Sequence, residues 1–496
     1  MQLTRATLWL QLCLVAIAAS TTTAQLNVAL ERAVQRAQLG EHGVAGIAVY
    51  DVTSGAQVFV SNADTALAPA SNMKLLTSAA AIMVLGPDHT FKTHLGLDPQ
   101  NRLIVQGSGD PSLFDERSAD ADPACTGTDE AIAAAVSALG EATDAINGII
   151  VDGRVFDSQI VHPDWPADQL DRWYCAPVAG VNAFANVLAF YPAPRDGDVV
   201  ADTEPTAPWI TIQNRASVIA DGRNAVWIQR TDDRTYTLRG RIRSRAGAPI
   251  EIALQRPSVF TGMLLADRLE NAGVRVDGEI RLADQDEQLP LASGPLATLT
   301  TSLATVLYRC NYDSMNLHAE AIVKTLGKTI TGEAGSWTNG TAVMRMLIAE
   351  VLGAEDAAST TIRDGSGLSR QNRITASTMA RWLVMTYRDE EIRAMYRRTL
   401  PSLENKLQRR LSMQPLEQTV LGKTGTILHV RCLSGYVINE ETGQTAAYAI
   451  LCNGLRTSES VRASYRLKGE IIQAINDNIG EFASPEDLEA LPAMGG

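Results

Sequence analysis

Apolar residues along this chain recur with two periods, and the places where one gives way to the other outline the elements. From Gln25 to Gly40 the spacing is that of an amphipathic helix, and Val44–Asp51 and Gln57–Ser61 then alternate like two strands joined about Thr53-Ser54-Gly55. Met73, Leu76, Ala80, Met83 and Val84 return to helical spacing, in a segment that starts after Pro69 and stops at Gly86-Pro87. From residue 91 to about 295 the texture changes. Short strand-like runs (Phe91–Leu97, Arg102–Gln106, Gly148–Asp152, Trp209–Gln213, Ala225–Gln229, Thr235–Arg241) alternate with turn-rich loops, and helical segments appear near Asp129–Leu139 and Pro257–Ala272. Helical spacing resumes over Thr298–Tyr308, Asn316–Leu326, Thr341–Val351 and Ala376–Tyr387. Strand-like runs follow at Thr419–Lys423, Val430–Ile438 and Thr445–Leu451, and a helix at Ser460–Asn478 closes the pattern.

This order predicts an α/β (α+β) protein in which a central antiparallel sheet is covered by helices and interrupted by β-rich inserted subdomains. The expected division is 25–90 with 296–482 as one discontinuous domain, 91–295 as the insertion, and 483–496 as a loose acidic tail. The first 24 residues read as a secretory signal: Arg5, an apolar run from Ala6 to Ala19, then small residues with cleavage expected after Ala18 or Ala24. That run is short for a membrane span, and the tail has no basic amphipathic face, so no transmembrane anchor is expected. The chain is expected to be exported to the periplasm, soluble or loosely membrane-associated.

At 496 residues the chain has room for two or three domains, and its formal charge of −13 argues against nucleic acid or an anionic membrane as the main partner. Five cysteines remain after the expected leader is removed. The odd number leaves at least one unpaired, with Cys432–Cys452 and Cys125–Cys175 as candidate pairs, and no spacing suggests a metal site or cofactor.

Lysine is scarce, and of its seven positions only Lys74 has a serine three residues before it, Ser71. Three residues apart at the start of a helix, the two share a face near unpaired backbone N–H groups, the layout of a serine nucleophile with a lysine base. Alone, the pair reads far more readily as a helix cap and a surface charge. Two further motifs change the balance. Ser314-Met315-Asn316 offers a hydroxyl and an amide at the start of a helix, and Lys423-Thr424-Gly425-Thr426 offers a cation and hydroxyls on a strand where glycine admits a close neighbour. Acylation of a serine by an amide needs these types: a base, a relay to the leaving amine, an amide to hold substrate and a grip for a carboxylate.

The trio resembles that of the penicillin-recognising serine acyl transferases. The long interval from Ser71 to Ser314, with Gly107-Ser108-Gly109-Asp110-Pro111-Ser112-Leu113, Tyr174-Cys175-Ala176-Pro177 before Asn182 and Asn186, and Asp364-Gly365-Ser366-Gly367-Leu368-Ser369-Arg370, is similar to the D-alanyl-D-alanine carboxypeptidase/endopeptidases of the DacB family. Asp152-Gly153-Arg154-Val155-Phe156 departs from that family's pattern, carrying Arg154 where a serine is expected. The resemblance implies Ser71 as nucleophile, Lys74 as base, Ser314 as proton relay, Asn316 as holder of substrate amides, and Lys423 with Thr424 and Gly425 as the carboxylate grip. It also implies an oxyanion hole from the backbone N–H groups of Ser71 and Thr426, and Asp152 and Arg370 on the stem-peptide side chain. Peptidoglycan stem peptides and cross-links would be the substrates and β-lactams covalent inhibitors. A β-lactamase or esterase with the same trio, or a non-catalytic peptidoglycan-binding protein, are the alternatives.

Overall fold

A computed structural model of the chain describes residues 24–115, 117–118, 128–403, 406–411 and 413–486. The expected leader and most of the acidic tail lie outside these. Among the described residues no helix is long and apolar enough to cross a membrane. The described residues form two compact units, one within 1–82 and 344–496 and the other within 83–343.

The first unit is built on one antiparallel sheet. Its strands are β1 (Val44–Asp51), β2 (Gln57–Ser61), β3 (Thr419–Ile427), β4 (Val430–Ile438) and β5 (Thr445–Asn453), in the order β3-β4-β5-β1-β2. β5 is buried along nearly its whole length, which is why Thr445–Leu451 reads as an almost unbroken apolar run. On one side α1 (Ala24–Arg36) and the C-terminal helix Ser458–Asp477 bury Leu26, Leu30, Leu467, Ile471 and Ile475 against Ile47, Val49, Leu433, Val437, Tyr448 and Ile450. On the other lies the helix Ala376–Arg388. Its Leu383 carbonyl accepts a hydrogen bond from Tyr436 Oη at 3.0 Å, and its Ser377 hydroxyl meets Tyr50 Oη at 3.2 Å. The alternation of apolar positions thus assigns each strand residue to a side.

The same register corrects one expected pairing. Cys432 faces Leu451 across the ladder and Cys452 faces Arg431, so the two cysteines point to opposite sides of the sheet and carry no disulfide. Cys175 is a buried thiol, and its suggested partner Cys125 lies outside the described residues.

The second unit holds a five-stranded mixed sheet, ordered Ile280–Leu282, Ile149–Asp152, Leu103–Gln106, Thr90–Leu97 and Ala297–Ser302. The helices Thr128–Ala142 and Pro257–Asn271 contribute to its core through Ala135, Leu139, Leu264, Leu265 and Leu269. Two three-stranded sheets, joined by a core that includes Leu188, Phe190, Tyr236 and Leu238, account for the β-rich texture. The helix expected over Thr298–Tyr308 is shorter and later. Ala297–Ser302 is a strand, because Leu299 and Thr301 alternate inward in a run rich in β-branched threonine. Ser302 then caps the helix Leu303–Asn311 by accepting from the Thr305 N–H at 3.2 Å.

Two of the sequence stretches that carry the resemblance in this unit are buried polar networks. Asp110 accepts from the Ser112 N–H at 2.8 Å and the Thr301 hydroxyl at 2.6 Å, and Ser112 Oγ meets His318 Nε2 at 2.9 Å. Asn182 donates to the carbonyls of Asp110 and Ala179, and Asn186 donates to the Pro177 carbonyl and to Asn182 Oδ1, both at 2.7 Å. These side chains satisfy loop backbone that would otherwise be buried without partners.

Burial pushes the Asp110 carboxyl up to about 6, against the two hydrogen bonds that lower it. A folded-state value above the unfolded one stabilises the fold below pH 3.8, and that contribution is lost as pH rises through about 6. Asp110→Asn should therefore gain stability relative to the parent as pH goes from 4 to 7, by up to about 3 kcal/mol. Urea unfolding across that range checks it; parallel profiles would contradict it.

Candidate active site

Ser71 sits in a single 3-10 turn, Ala70–Asn72, which runs directly into α2 (Met73–Leu85). The residue before this turn is Pro69, which has no side-chain cap to offer, and Ser71 lies inside the turn. Lys74 is fully buried, and its Nζ lies 3.3 Å from Ser71 Oγ and 3.1 Å from the Ser366 carbonyl oxygen. Spacing along the chain and geometry agree: the first turn of α2 brings the amine to the hydroxyl.

The turn is held by the sheet and by one loop. Asn72 donates to the Lys423 carbonyl of β3 and accepts from Ser434 Oγ of β4 at 3.0 Å. Asn453 of β5 exchanges two 3.0 Å hydrogen bonds with the backbone of Ala68. Ala70 has φ +47°, a strained value for a residue with a Cβ, and the strain is over-determined by these contacts. Gly425 explains the need for glycine in the Lys-Thr-Gly stretch: a Cβ there would lie 2.7 Å from the Pro69 carbonyl.

The loop after Asp364 closes the other side. Asp364 is fully buried and accepts from Gly367 N at 2.9 Å, Ser369 N at 2.6 Å and Asn372 Nδ2 at 2.7 Å. That ring presents the Ser366 carbonyl to Lys74, a role that the spacing of residues does not disclose. Gly367 has φ +81°, and a Cβ on it would lie 1.8 Å from the Ala70 carbonyl. Thr77 Oγ1 of α2 donates to the Gly365 carbonyl at 2.7 Å, tying helix to loop.

Lys423 is buried on β3 with its Nζ 3.3 Å from the Thr424 carbonyl, while Thr424 and Thr426 are exposed on the opposite side of this edge strand. Arg370 is exposed, with no side-chain partner among the described residues. Ser71, Lys74, Lys423 to Thr426 and Arg370 all belong to the first unit.

Ser314, Asn316 and Asp152 belong to the second. Ser314 has φ +60°, another strained position, just ahead of the helix Asn316–Thr331. Asn316 is nearly buried and donates to the Tyr174 carbonyl at 2.8 Å, giving the Tyr-Cys-Ala-Pro stretch a part in holding it. Asp152 is claimed by Arg154, whose Nε and Nη2 bind its two oxygens at 2.8 and 2.7 Å. Partial burial raises the Asp152 carboxyl, but the hydrogen bonds and charge of Arg154 outweigh it and leave the group below the usual carboxylate value. Arg154 also donates to the carbonyls of Asp284, Gln285 and Glu287, so it pins a loop as well.

A buried lysine against a serine in a turn strained at Ala70, with a Lys-Thr-Gly edge strand clamped to the same turn, is the arrangement expected of a serine acyl transferase of the penicillin-recognising type. The chain belongs to the D-Ala-D-Ala carboxypeptidase 3 (S13) family, whose model matches residues 26–472, and it is a serine peptidase. It is 31% identical over 447 residues to the D-alanyl-D-alanine carboxypeptidase of Actinomadura sp. (strain R39), covering 84% of this chain and 78% of that one. It is 24% identical over 421 residues to the D-alanyl-D-alanine carboxypeptidase DacB of Haemophilus influenzae, covering 80% and 83%. Among solved structures it resembles penicillin binding protein 4 (dacB) of Haemophilus influenzae with a TM-score of 0.72 at 22% identity, over 89% of this chain and 99% of that one. The fold expected from the order of elements is thus the fold of a known relative.

Gly367→Ala should drive its new Cβ into the Ala70 carbonyl and shift the Ser71 turn. We expect a loss of about 2 kcal/mol or more in urea unfolding. An unchanged midpoint would mean that the loop is not packed on the turn.

Proposed function

We propose that Ser71 is the acylated nucleophile of a D-alanyl-D-alanine carboxypeptidase that also opens D-amino-acid cross-links of peptidoglycan. The observation that carries this reading is the buried Lys74 amine, 3.3 Å from Ser71 Oγ in a chain of this family. In the neutral form Lys74 takes the Ser71 proton as Oγ attacks the carbonyl of the penultimate D-alanine. The tetrahedral oxyanion is met by the backbone N–H groups of Ser71 and Thr426, each such donor being worth roughly 3–4 kcal/mol. The C–N bond then breaks. Ser314 passes a proton to the departing amine, and Asn316 holds substrate amides. Water attacks the acyl-serine ester, releases the shortened peptide and restores the hydroxyl. Lys423 supplies the cation for the terminal carboxylate, and the β3 edge at Thr424 and Gly425 gives the substrate room to lie along the strand, with the Thr424 hydroxyl on the strand's other side.

For the stem-peptide side chain, Arg370 offers an exposed guanidinium to a carboxylate. Asp152 would receive an ammonium only in competition with Arg154, which weakens that half of the pair. A β-lactam would acylate the same serine, in keeping with the β-lactam complex solved for the Haemophilus influenzae protein. Export to the periplasm follows from the leader-like first 24 residues and from where the substrate lies.

Ser71→Ala should abolish D-alanine release from a pentapeptide muropeptide and covalent labelling by a fluorescent penicillin; retained labelling would refute the nucleophile. Lys74→Arg should keep the fold and lose acylation, because a guanidinium is not deprotonated in proteins. An unchanged acylation rate in that variant would show that no neutral lysine is needed. Fast nitrocefin turnover without a stable adduct would instead mark a β-lactamase.

A further inference from the structure

Behind the outer side of β3 lies a small pocket of about 120 Å³, lined by Thr424, Thr426, Arg410, Leu433, Tyr465 and Lys468 among others. It is not the space occupied by Lys74 and Ser71, because Lys423 and Gly425 point to that side of the strand and the two threonines point away from it. Lys468 comes from the C-terminal helix, is 3% exposed, and has no hydrogen-bond acceptor among the described residues. Its Nζ lies 4.4 Å from the centre of the Tyr465 ring, and the Arg410 guanidinium carbon lies 4.5 Å from the same centre, so one ring carries two cations. Arg431, paired across the ladder with Thr426, adds a third positive charge close by, and its Nε is buried without a partner. No carboxylate among the described residues lines the pocket.

Collecting like charges around a buried lysine is costly unless something balances them. Burial holds the Lys468 ammonium below the usual lysine range; the Cys452 and Cys432 thiols act against this and the Arg431 and Arg410 charges act with it. An anion in the pocket would offset the burial and the like charges together, and the threonine hydroxyls would donate to it from the strand.

We propose that this pocket is a carboxylate-type oxyanion site, with Lys468 as its central cation and Thr424, Thr426 and Arg410 around it. The part of the inference that names the occupant rests on the reading of β3 as the carboxylate grip. With the leaving residue laid along the edge of β3, an acidic side chain turned to the Thr424 side of the strand faces the lysine of this pocket. Leaving groups larger than D-alanine and carrying an extra acid group are then favoured by charge and not by size. The same chemistry would also accept a small inorganic oxyanion, and the two sources are separable.

The test uses the intact protein and peptides ending in D-Ala-D-Glu or its neutral isostere D-Ala-D-Gln, with Lys468→Met as the variant. We expect the parent to cleave the D-Glu peptide with kcat/KM about tenfold above the D-Gln peptide, and the ratio to fall to about one in the variant. In a second arm, inorganic phosphate is titrated without substrate and the Tm is followed. A rise in the parent that is absent in Lys468→Met, with a peptide ratio of about one, assigns the site to a free oxyanion. A ratio of one together with no phosphate response in the parent overturns the proposal. Penicillin labelling of the parent is measured alongside. If it occurs while both arms are flat, the pocket inference fails alone; if it is absent, the reading of Ser71 fails first. Should Lys468→Met unfold, Arg410→Gln is expected to lower the same ratio.

Discussion

The contact on which the rest depends is between Lys74 and Ser71. An amine fully removed from water is expensive to hold beside a hydroxyl unless its remaining positions are satisfied. Here the Ser366 carbonyl supplies one of them, and that carbonyl is aimed by the Asp364 ring. The ring can approach only because Gly367 has no side chain, and β3 can approach from its own side only because Gly425 has none. Two glycines more than fifty residues apart thus serve one purpose, to let backbone close on the strained turn that carries the serine.

Several features follow from that closure. Asn72, which might pass for an ordinary polar residue after the nucleophile, bridges β3 and β4, and Asn453 ties the approach to the turn onto β5. A central antiparallel sheet is rigid across its strands, so anchoring the turn to three of them fixes the serine more firmly than a loop could by itself. In the second unit the same strategy appears around Asp110, Asn182 and Asn186: buried polar side chains fix loop backbone, and Ser112 connects this network to the helix that follows Ser314.

Most of the architecture was legible because it is written in periodicity. β4 matches the run Val430–Ile438 from end to end, and the helix at Ala376 differs by one residue, since a sheet buried on both sides and a one-sided helix leave distinct patterns. The stretch at Thr298 was misread because threonine-rich alternation and helical spacing coincide over a few residues, and only pairing with Thr90–Leu97 separates them. The cysteine pair failed for a similar reason: closeness across a hairpin is visible in sequence, whereas the side of the sheet depends on register. For the site, Ser71 and Lys74 were visible as spacing. The Ser366 carbonyl and the capture of Asp152 by Arg154 were not, because a backbone acceptor has no residue signature and an ion pair two residues apart looks like surface charge.

The most direct measurement is peptide mapping by tandem mass spectrometry of the protein trapped with a β-lactam. The account predicts a single covalent adduct on the peptide containing Ser71, with the modification on Ser71 itself. An adduct on Ser314 or any other residue, or a stoichiometric adduct that survives in Ser71→Ala, would contradict it.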